Sequence, residues 1–331
     1  MARLSIAPMV DITNRFYRFF MRQLSLRSTL YTEMINANAV LNNPSVLKYT
    51  PIEHPVVFQL GGCDADSLAA AAQRCQESGF DEVNLNCGCP SGRVSCGKFG
   101  ACLMLEPDTV REMCAAMVRR LTIPVTVKCR LGVDDRDSYE ELKNFVGTVS
   151  QAGVSHFIVH ARKAILAGLT PEENRKIPPL KYDHVYRLVG DFPDLQFTLN
   201  GGIKSHDQIA EATAQGCAGV MLGRWSYENP AFFADVDSKY YNTPNPAFSR
   251  KQAMEAYAVY CQSELDAGEQ VCNSVLAKPL TNLFREQPGN SYYRVTLNGL
   301  MLDHSYDGNF VGMIEELLAR LETHKVGGLE D

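Results

Sequence analysis

One stretch sets a reactive side chain in a defined place: Glu82-Val83-Asn84-Leu85-Asn86-Cys87-Gly88-Cys89-Pro90-Ser91, running through Gly92-Arg93 to Phe99-Gly100-Ala101. Val83 to Asn86 reads as a short buried strand that ends in polar residues and opens into a glycine-containing loop. A thiol at the mouth of such a loop, Cys89, is a placed chemical group, because loops at strand ends carry function. Lys128 closes a second apolar run, Val125-Thr126-Val127, and a lysine buried there needs an anionic partner. Gln59 closes a third, Pro55-Val56-Val57-Phe58, and offers both a donor and an acceptor. Asn200-Gly201-Gly202 and Leu222-Gly223-Arg224 end two more. Glycines there let the backbone approach a ligand, main-chain N–H groups point at an anion, and Arg224 adds charge. The set predicts a phosphorylated cofactor. An isoalloxazine ring suits it: its N1–C2=O edge turns negative on reduction, facing Lys128, and its N3–H and O4 match an amide. An ordinary buried amide accounts for Gln59 equally well when that residue is taken alone.

Cys87, Cys89, Cys96 and Cys102 invite a metal or iron–sulfur reading, but their spacings, C-x-C, C-x6-C and C-x5-C, match no common ligand pattern. No metal is expected, and Cys102 reads as core. The eleven cysteines of the 331-residue chain do not form a disulfide framework either. Most fall in strand-like or helix-like segments, such as Cys114 and Cys217, where a reduced thiol packs as a small apolar group.

The elements that must position these groups alternate. Apolar runs at Leu4–Ala7, Thr29–Thr32, Pro55–Gln59, Val83–Asn86, Val125–Lys128, His156–His160, Phe197–Asn200 and Gly219–Gly223 predict eight strands. Helical patterns lie between them at Asn14–Leu24, Asp66–Ser78, Pro107–Arg120, Ser138–Ala152, Tyr182–Val189 and Ser205–Gln215, several opened by a capping residue. Eight alternating units without a G-x-G-x-x-G fingerprint predict an α/β fold, a TIM (β/α)8 barrel, over a doubly wound sheet. The strand ends are polar or glycine throughout: Pro8-Met9-Val10-Asp11, Glu33, Gln59, Asn86 with Cys89, Lys128 with Arg130, His160 with Arg162 and Lys163, Asn200 and Gly223-Arg224. A solvated strand end explains any one of them, but not the whole set.

Tyr240-Tyr241-Asn242-Thr243-Pro244-Asn245-Pro246 is a breaker-rich linker. Beyond it, Arg250–Leu265, Asn273–Phe284, Ser291–Leu300 and Val311–Leu321 have helical periodicity. The expected organisation is therefore a catalytic barrel over 1–240 and a small all-helical C-terminal domain over 247–325. Such a linker predicts that the barrel stands without the helices. Hydrophobic content is 45% and no apolar run could span a bilayer. The N-terminus lacks the apolar region of a secretory signal, so a cytoplasmic protein is expected, with a monomer as its state. A net charge of -6 argues against a generally basic nucleic-acid binder, so an RNA partner would need a local basic face.

Ala7-Pro8-Met9-Val10-Asp11, Gln59-Leu60-Gly61-Gly62, Asn84 to Ser91, Thr126-Val127-Lys128, His160-Ala161-Arg162-Lys163 and Asn200-Gly201-Gly202-Ile203 closely resemble the tRNA-dihydrouridine synthases. The resemblance covers nearly the whole chain. Glu172 to Leu180 and Phe99 to Met104 look like the bacterial A class. It implies an FMN enzyme that uses NADPH to reduce D-loop uridines of tRNA. By that resemblance Pro8, Met9, Val10, Gln59, Lys128, His160, Asn200, Gly201, Gly202, Gly223 and Arg224 bind FMN, and Cys89 donates the proton. Cys87 departs from the small aliphatic residue common at its position. Candidate substrate contacts are Asn86, Lys98, Arg162, Lys163, Arg175, Lys176 and Arg294, with Lys181, Arg187 and Arg285 as further cations. Tyr292 and Tyr293 could stack on bases, although helix tyrosines more often serve a core. Other FMN barrels, such as the dihydroorotate dehydrogenases, and a non-catalytic tRNA-binding protein are the competing readings.

Overall fold

In the computed structural model, which describes residues 3–91, 97–246 and 249–330, all eight expected strands form. They are β1 (Arg3–Ile6), β2 (Thr29–Asn36), β3 (Val56–Gly61), β4 (Glu82–Cys87), β5 (Val125–Cys129), β6 (His156–His160), β7 (Gln196–Asn200) and β8 (Gly219–Leu222). All pair in parallel and in chain order, and β8 returns to β1 to close the barrel. Cys96 and residue 247, the expected start of the helical domain, lie outside the described residues.

The period of two in a strand sorts β4 cleanly. Val83, Leu85 and Cys87 are fully buried on one face, while Glu82, Asn84 and Asn86 make side-chain hydrogen bonds on the other. Parallel strands need crossovers, and helices supply them. After α1 (Arg15–Arg22) and α2 (Ala37–Asn42) come α3 (Ala65–Glu77), α4 (Pro107–Val118), α5 (Tyr139–Ser150), α6 (Tyr182–Asp191) and α7 (His206–Ala214). Caps start several of them: Asp64 takes the Ser67 N–H, Ser205 takes that of Gln208, and Ser138 with Glu141 forms a capping box. Helix α2 was not legible as a helix, for six residues are too few to display a period.

Residues 3–10, 29–49 and 54–223 pack as one unit that holds the barrel. Residues 11–28, 50–53 and everything described from Arg224 onward pack as a second. The second unit contains α1, then α8 (Arg224–Glu228), α9 (Val236–Tyr241), α10 (Arg250–Asp266), α11 (Asn273–Ala277), α12 (Asn290–Met301) and α13 (Phe310–Thr323). Alternation alone would give α1 to the barrel, yet its aromatic face packs on α10. Phe20 meets Tyr257 edge-on at 5.6 Å and Phe19 stacks on Tyr260 at 3.8 Å. A chain ending before Pro244 would leave these two rings of the second unit without their partners on α10. Within the same unit, the buried Asp237 of α9 accepts from Ser25 Oγ at 2.6 Å and Leu26 N at 2.7 Å.

The helix expected over Asn273–Phe284 breaks after α11 into a 3-10 turn, Lys278–Leu280. Pro279 supplies no N–H to continue it. No helix among the described residues is long and apolar enough to cross a membrane.

Candidate functional site

Five strands bring one polar side chain each to the carboxyl end of the barrel: Gln59, Asn86, Lys128, His160 and Asn200. Register places them side by side, with Asn86 opposite Lys128 and His160 opposite Asn200. Lys128 Nζ donates to Asn200 Oδ1 at 3.1 Å, and Asn200 Nδ2 donates to the Met221 carbonyl at 2.8 Å. Asn86 Nδ2 donates to Gln59 Oε1 at 2.9 Å.

This end of the barrel is strongly cationic within an acidic chain. Burial, then the Arg130 charge, pulls Lys128 down to about 8, with Cys129 and Cys89 opposing. Burial pulls Arg130 down to about 10, with Cys89 opposing and Arg175 and Arg162 adding to the fall. His160 is driven well below the usual imidazole range by burial and then by Arg130, Lys128, Arg162 and Arg175, so it is a neutral ring at pH 7. Among the described residues, the charges that act most strongly on these three groups come from arginines, Lys128 and cysteines. A tier of this kind accepts an anion.

Cys89 sits half-buried at the rim. Asn86 Oδ1 accepts from Gly88 N at 3.1 Å and Cys89 N at 3.0 Å, which turns the chain sharply after β4. The return is tied by Ala101 N donating to the Cys89 carbonyl at 2.9 Å. Arg130 is the residue whose role the sequence hides. It stands two positions after Lys128, yet its Nε donates to the Gly88 carbonyl at 2.8 Å, and its Nη1 to those of Lys163 and Asn174 at 2.9 and 3.0 Å. It therefore joins the cysteine loop to the segment after β6. Cys87 is fully buried, and burial, with Cys114, Cys129 and Cys102 adding, pushes its thiol up. It is core, as are Cys114 and Cys129.

Gly201 and Gly202 meet two requirements for glycine. Their φ angles are +113° and +74°. A Cβ on Gly201 would lie 2.7 Å from His160 Cδ2, and one on Gly202 would lie 2.6 Å from Leu180 Cδ1. Tyr182 Oη donates to the Gly201 carbonyl at 2.6 Å, fixing the turn. Gly223 is different, for the nearest atom to its would-be Cβ is Ala7 Cβ at 3.8 Å, an ordinary contact. Pro8 and Met9 follow β1 half-buried and Val10 is exposed. Arg224 opens α8 and belongs to the second unit.

The expected RNA contacts divide. Arg162 donates to the Lys176 carbonyl at 3.3 Å and also to that of Pro178, and with Arg175 it acts electrostatically on His160. Lys163 donates to the Asp134 carbonyl at 2.8 Å and faces Asp137 at 3.5 Å; Lys181 reaches the same carboxylate at 3.1 Å. Lys176 pairs with Glu172, and Arg187 lies 3.5 Å over the Tyr139 ring. Lys98 is exposed in a left-handed conformation, φ +55°. Arg294 is exposed on α12 in the second unit. There too, Tyr293 is core, its hydroxyl on the Leu280 carbonyl at 2.6 Å, while Tyr292 stacks on His324 at 3.9 Å. Among the described residues no group of three or more His, Cys, Asp or Glu is placed to hold a metal ion.

The family model for dihydrouridine synthases matches residues 5–312. The chain is 48% identical to a tRNA-dihydrouridine(20/20a) synthase of Synechocystis sp., over 89% of this chain and 88% of that one. It is 42% identical to the enzyme of the same name from Vibrio cholerae, over 98% of both chains. Among solved structures it resembles 2-naphthoyl-CoA reductase in complex with 2-naphthoyl-CoA, with a TM-score of 0.55. That match has 10% identity and covers 74% of this chain and 50% of the other, so it speaks to the fold alone.

Proposed function

This chain belongs to the dihydrouridine synthase family, and from that premise we propose that it reduces D-loop uridines of tRNA to dihydrouridine, with FMN as cofactor and NADPH as reductant. The observation that carries the reading is the cationic tier at the end of the barrel with a half-buried thiol beside it. The residues present fit a flavin mononucleotide. Gly201 and Gly202 open a cradle that a Cβ would fill, and Lys128 meets a neutral amide oxygen where an anionic ring edge would suit it better. When bound, the flavin supplies the hydride that reduces the C5=C6 bond of the base. Gln59 and Asn200 would hold its polar edge, the glycine turn its phosphate, and Pro8, Met9 and Val10 its flank. Neutral His160 would serve as a hydrogen-bonding group rather than a charge.

The chain's own part in the reaction is positioning and proton delivery. Cys89 Sγ would give its proton to uracil C5, where negative charge develops. Asn86 holds the loop that carries the thiol. Arg162, Arg175, Lys98 and Arg294 would contact phosphates of the RNA. The decisive assay supplies the purified protein with FMN, NADPH and an unmodified tRNA transcript, then maps dihydrouridine by nuclease digestion and mass spectrometry. Dihydrouridine in the D-loop is the expected product. Bound flavin and NADPH oxidation with every uridine unchanged would overturn the reading.

Lys128 makes cofactor affinity depend on pH. Its free ammonium loses its proton at about 8, and an anionic ligand favours the protonated form. Affinity for FMN should therefore be level below that point and fall by up to about tenfold per pH unit above it. Lys128→Met should bind about 10- to 100-fold more weakly at pH 7, with a flat profile from pH 7 to 9.5. Fluorescence titration of FMN against both proteins reads this directly. A parallel fall in the two proteins would assign the pH dependence elsewhere.

A further inference from the structure

An unbroken chain of hydrogen bonds runs down the inside of the barrel from the cysteine loop to the opposite end. Cys89 N donates to Asn86 Oδ1 at 3.0 Å, and Asn86 Nδ2 to Gln59 Oε1 at 2.9 Å. Gln59 Nε2 donates to Asn84 Oδ1 at 2.8 Å, Asn84 Nδ2 to Thr126 Oγ1 at 2.9 Å, and Thr126 Oγ1 to Glu82 Oε1 at 2.7 Å. Arg3 Nη2 donates to Glu82 Oε2 at 3.0 Å, and Tyr31 Oη to Oε1 at 3.2 Å. Gln59, Glu82, Asn84, Asn86 and Thr126 are all buried. From Glu82 to Asn86 the chain climbs four strand residues, roughly 13 Å.

The direction of such a chain is not set by its middle. An amide turned by 180° fills almost the same space, and a hydroxyl can donate either way, so Asn84, Gln59 and Thr126 would be satisfied in either sense. The ends decide. At the top, the backbone N–H groups of Gly88 and Cys89 can only donate, so Asn86 must turn its oxygen to them. At the bottom, the Glu82 carboxylate takes hydrogen bonds from Thr126, Tyr31 and Arg3 together. Both ends call for the same direction. We infer that Glu82 is a positioning residue for the site: through Thr126, Asn84, Gln59 and Asn86 it sets the amide orientation that clamps the Cys89 loop.

The inference predicts an effect at a distance with a definite sign. In Glu82→Gln the side chain keeps its shape but offers one oxygen and one NH2. Arg3 can only donate, so the oxygen turns to Arg3 and the NH2 to Thr126. Thr126 must then donate to Asn84, and each amide above turns in sequence. Asn86 ends with its nitrogen against two backbone N–H groups, and the clamp opens. Adding Arg3→Met removes the opposing demand and lets the amide oxygen face Thr126 again.

The experiment follows backbone hydrogen exchange at Gly88 and Cys89 by mass spectrometry in wild type, Glu82→Gln, Arg3→Met and the double variant. Glu82→Gln should raise exchange at these two amides about tenfold, the scale of one hydrogen bond lost. The double variant should return to within about threefold of wild type. Flavin reoxidation by tRNA, measured on protein saturated with FMN because the turned Gln59 amide also changes a proposed flavin contact, should follow the same order. That activity arm rests on the proposed function; the exchange arm does not, so failure of one is separable from failure of the other. Unchanged exchange at Gly88 and Cys89 in Glu82→Gln would overturn the inference, as would a double variant worse than the single one. If Glu82→Gln alone does not fold, a folded double variant with wild-type exchange still supports the relay. A double variant that also fails to fold reduces Glu82 to a stability residue and overturns it.

Discussion

Cys89→Ala is expected to keep its flavin, to be reduced by NADPH at the wild-type rate, and to be reoxidised by tRNA about 10²–10⁴-fold more slowly, the range for losing a positioned acid. Cofactor loading and proton delivery separate because no expected flavin contact is made by the thiol. Cys87→Ala is the control. That thiol is fully buried beside Cys114 and Cys129, on the strand face opposite the relay. Its loss should cost some stability and leave reoxidation near normal. Single-turnover oxidation of reduced flavin by an unmodified transcript, followed at the flavin absorbance band, distinguishes them. Normal reoxidation in Cys89→Ala, or a greater loss in Cys87→Ala, would take the acid role from Cys89.

Glu53→Ala should be the most destabilising single change in the second unit, by about 3–5 kcal/mol. Glu53 is fully buried, receives Arg18 Nε at 2.6 Å and Thr50 N at 2.8 Å, and its carbonyl takes Arg22 Nη2 at 2.7 Å. Removing the carboxylate leaves the buried Arg18 guanidinium uncompensated, which costs far more than the pair itself is worth. Replacing both partners, with Arg18→Met and Glu53→Leu, should recover most of the loss. Urea unfolding monitored by circular dichroism measures each step. A loss below about 1 kcal/mol in Glu53→Ala would mean that water reaches Arg18.

The barrel was legible because strands advertise themselves through runs such as Val56-Val57-Phe58 and Val125-Thr126-Val127 and through the polar residues that stop them. The same logic picked out Gln59, Asn86, Lys128, His160 and Asn200, for a polar side chain at the end of an apolar run has few reasons to be there. What stayed hidden depends on partners distant in sequence. Nothing in Phe16-Tyr17-Arg18-Phe19-Phe20 says which unit its aromatic face will meet. Arg130 looks like a strand-end cation until three carbonyls converge on it. Lys163 and Lys181 look available to phosphates until Asp137 is placed between them. Pro279 was a signal in plain view, a helix breaker inside an apparent helix.

The membership of α1 in the second unit has a consequence for how the protein is made. The ring that receives Phe20, Tyr257, lies at the far end of the chain. At about 5–20 residues per second, a ribosome delivers α1 roughly 10–50 s before α10 exists to cover it. During that interval all eight barrel strands emerge, while the aromatic helix threaded in sequence between the first two stays without its partner. The nascent chain therefore carries an uncovered aromatic surface near its beginning, and the later helices act as the stopper that retires it.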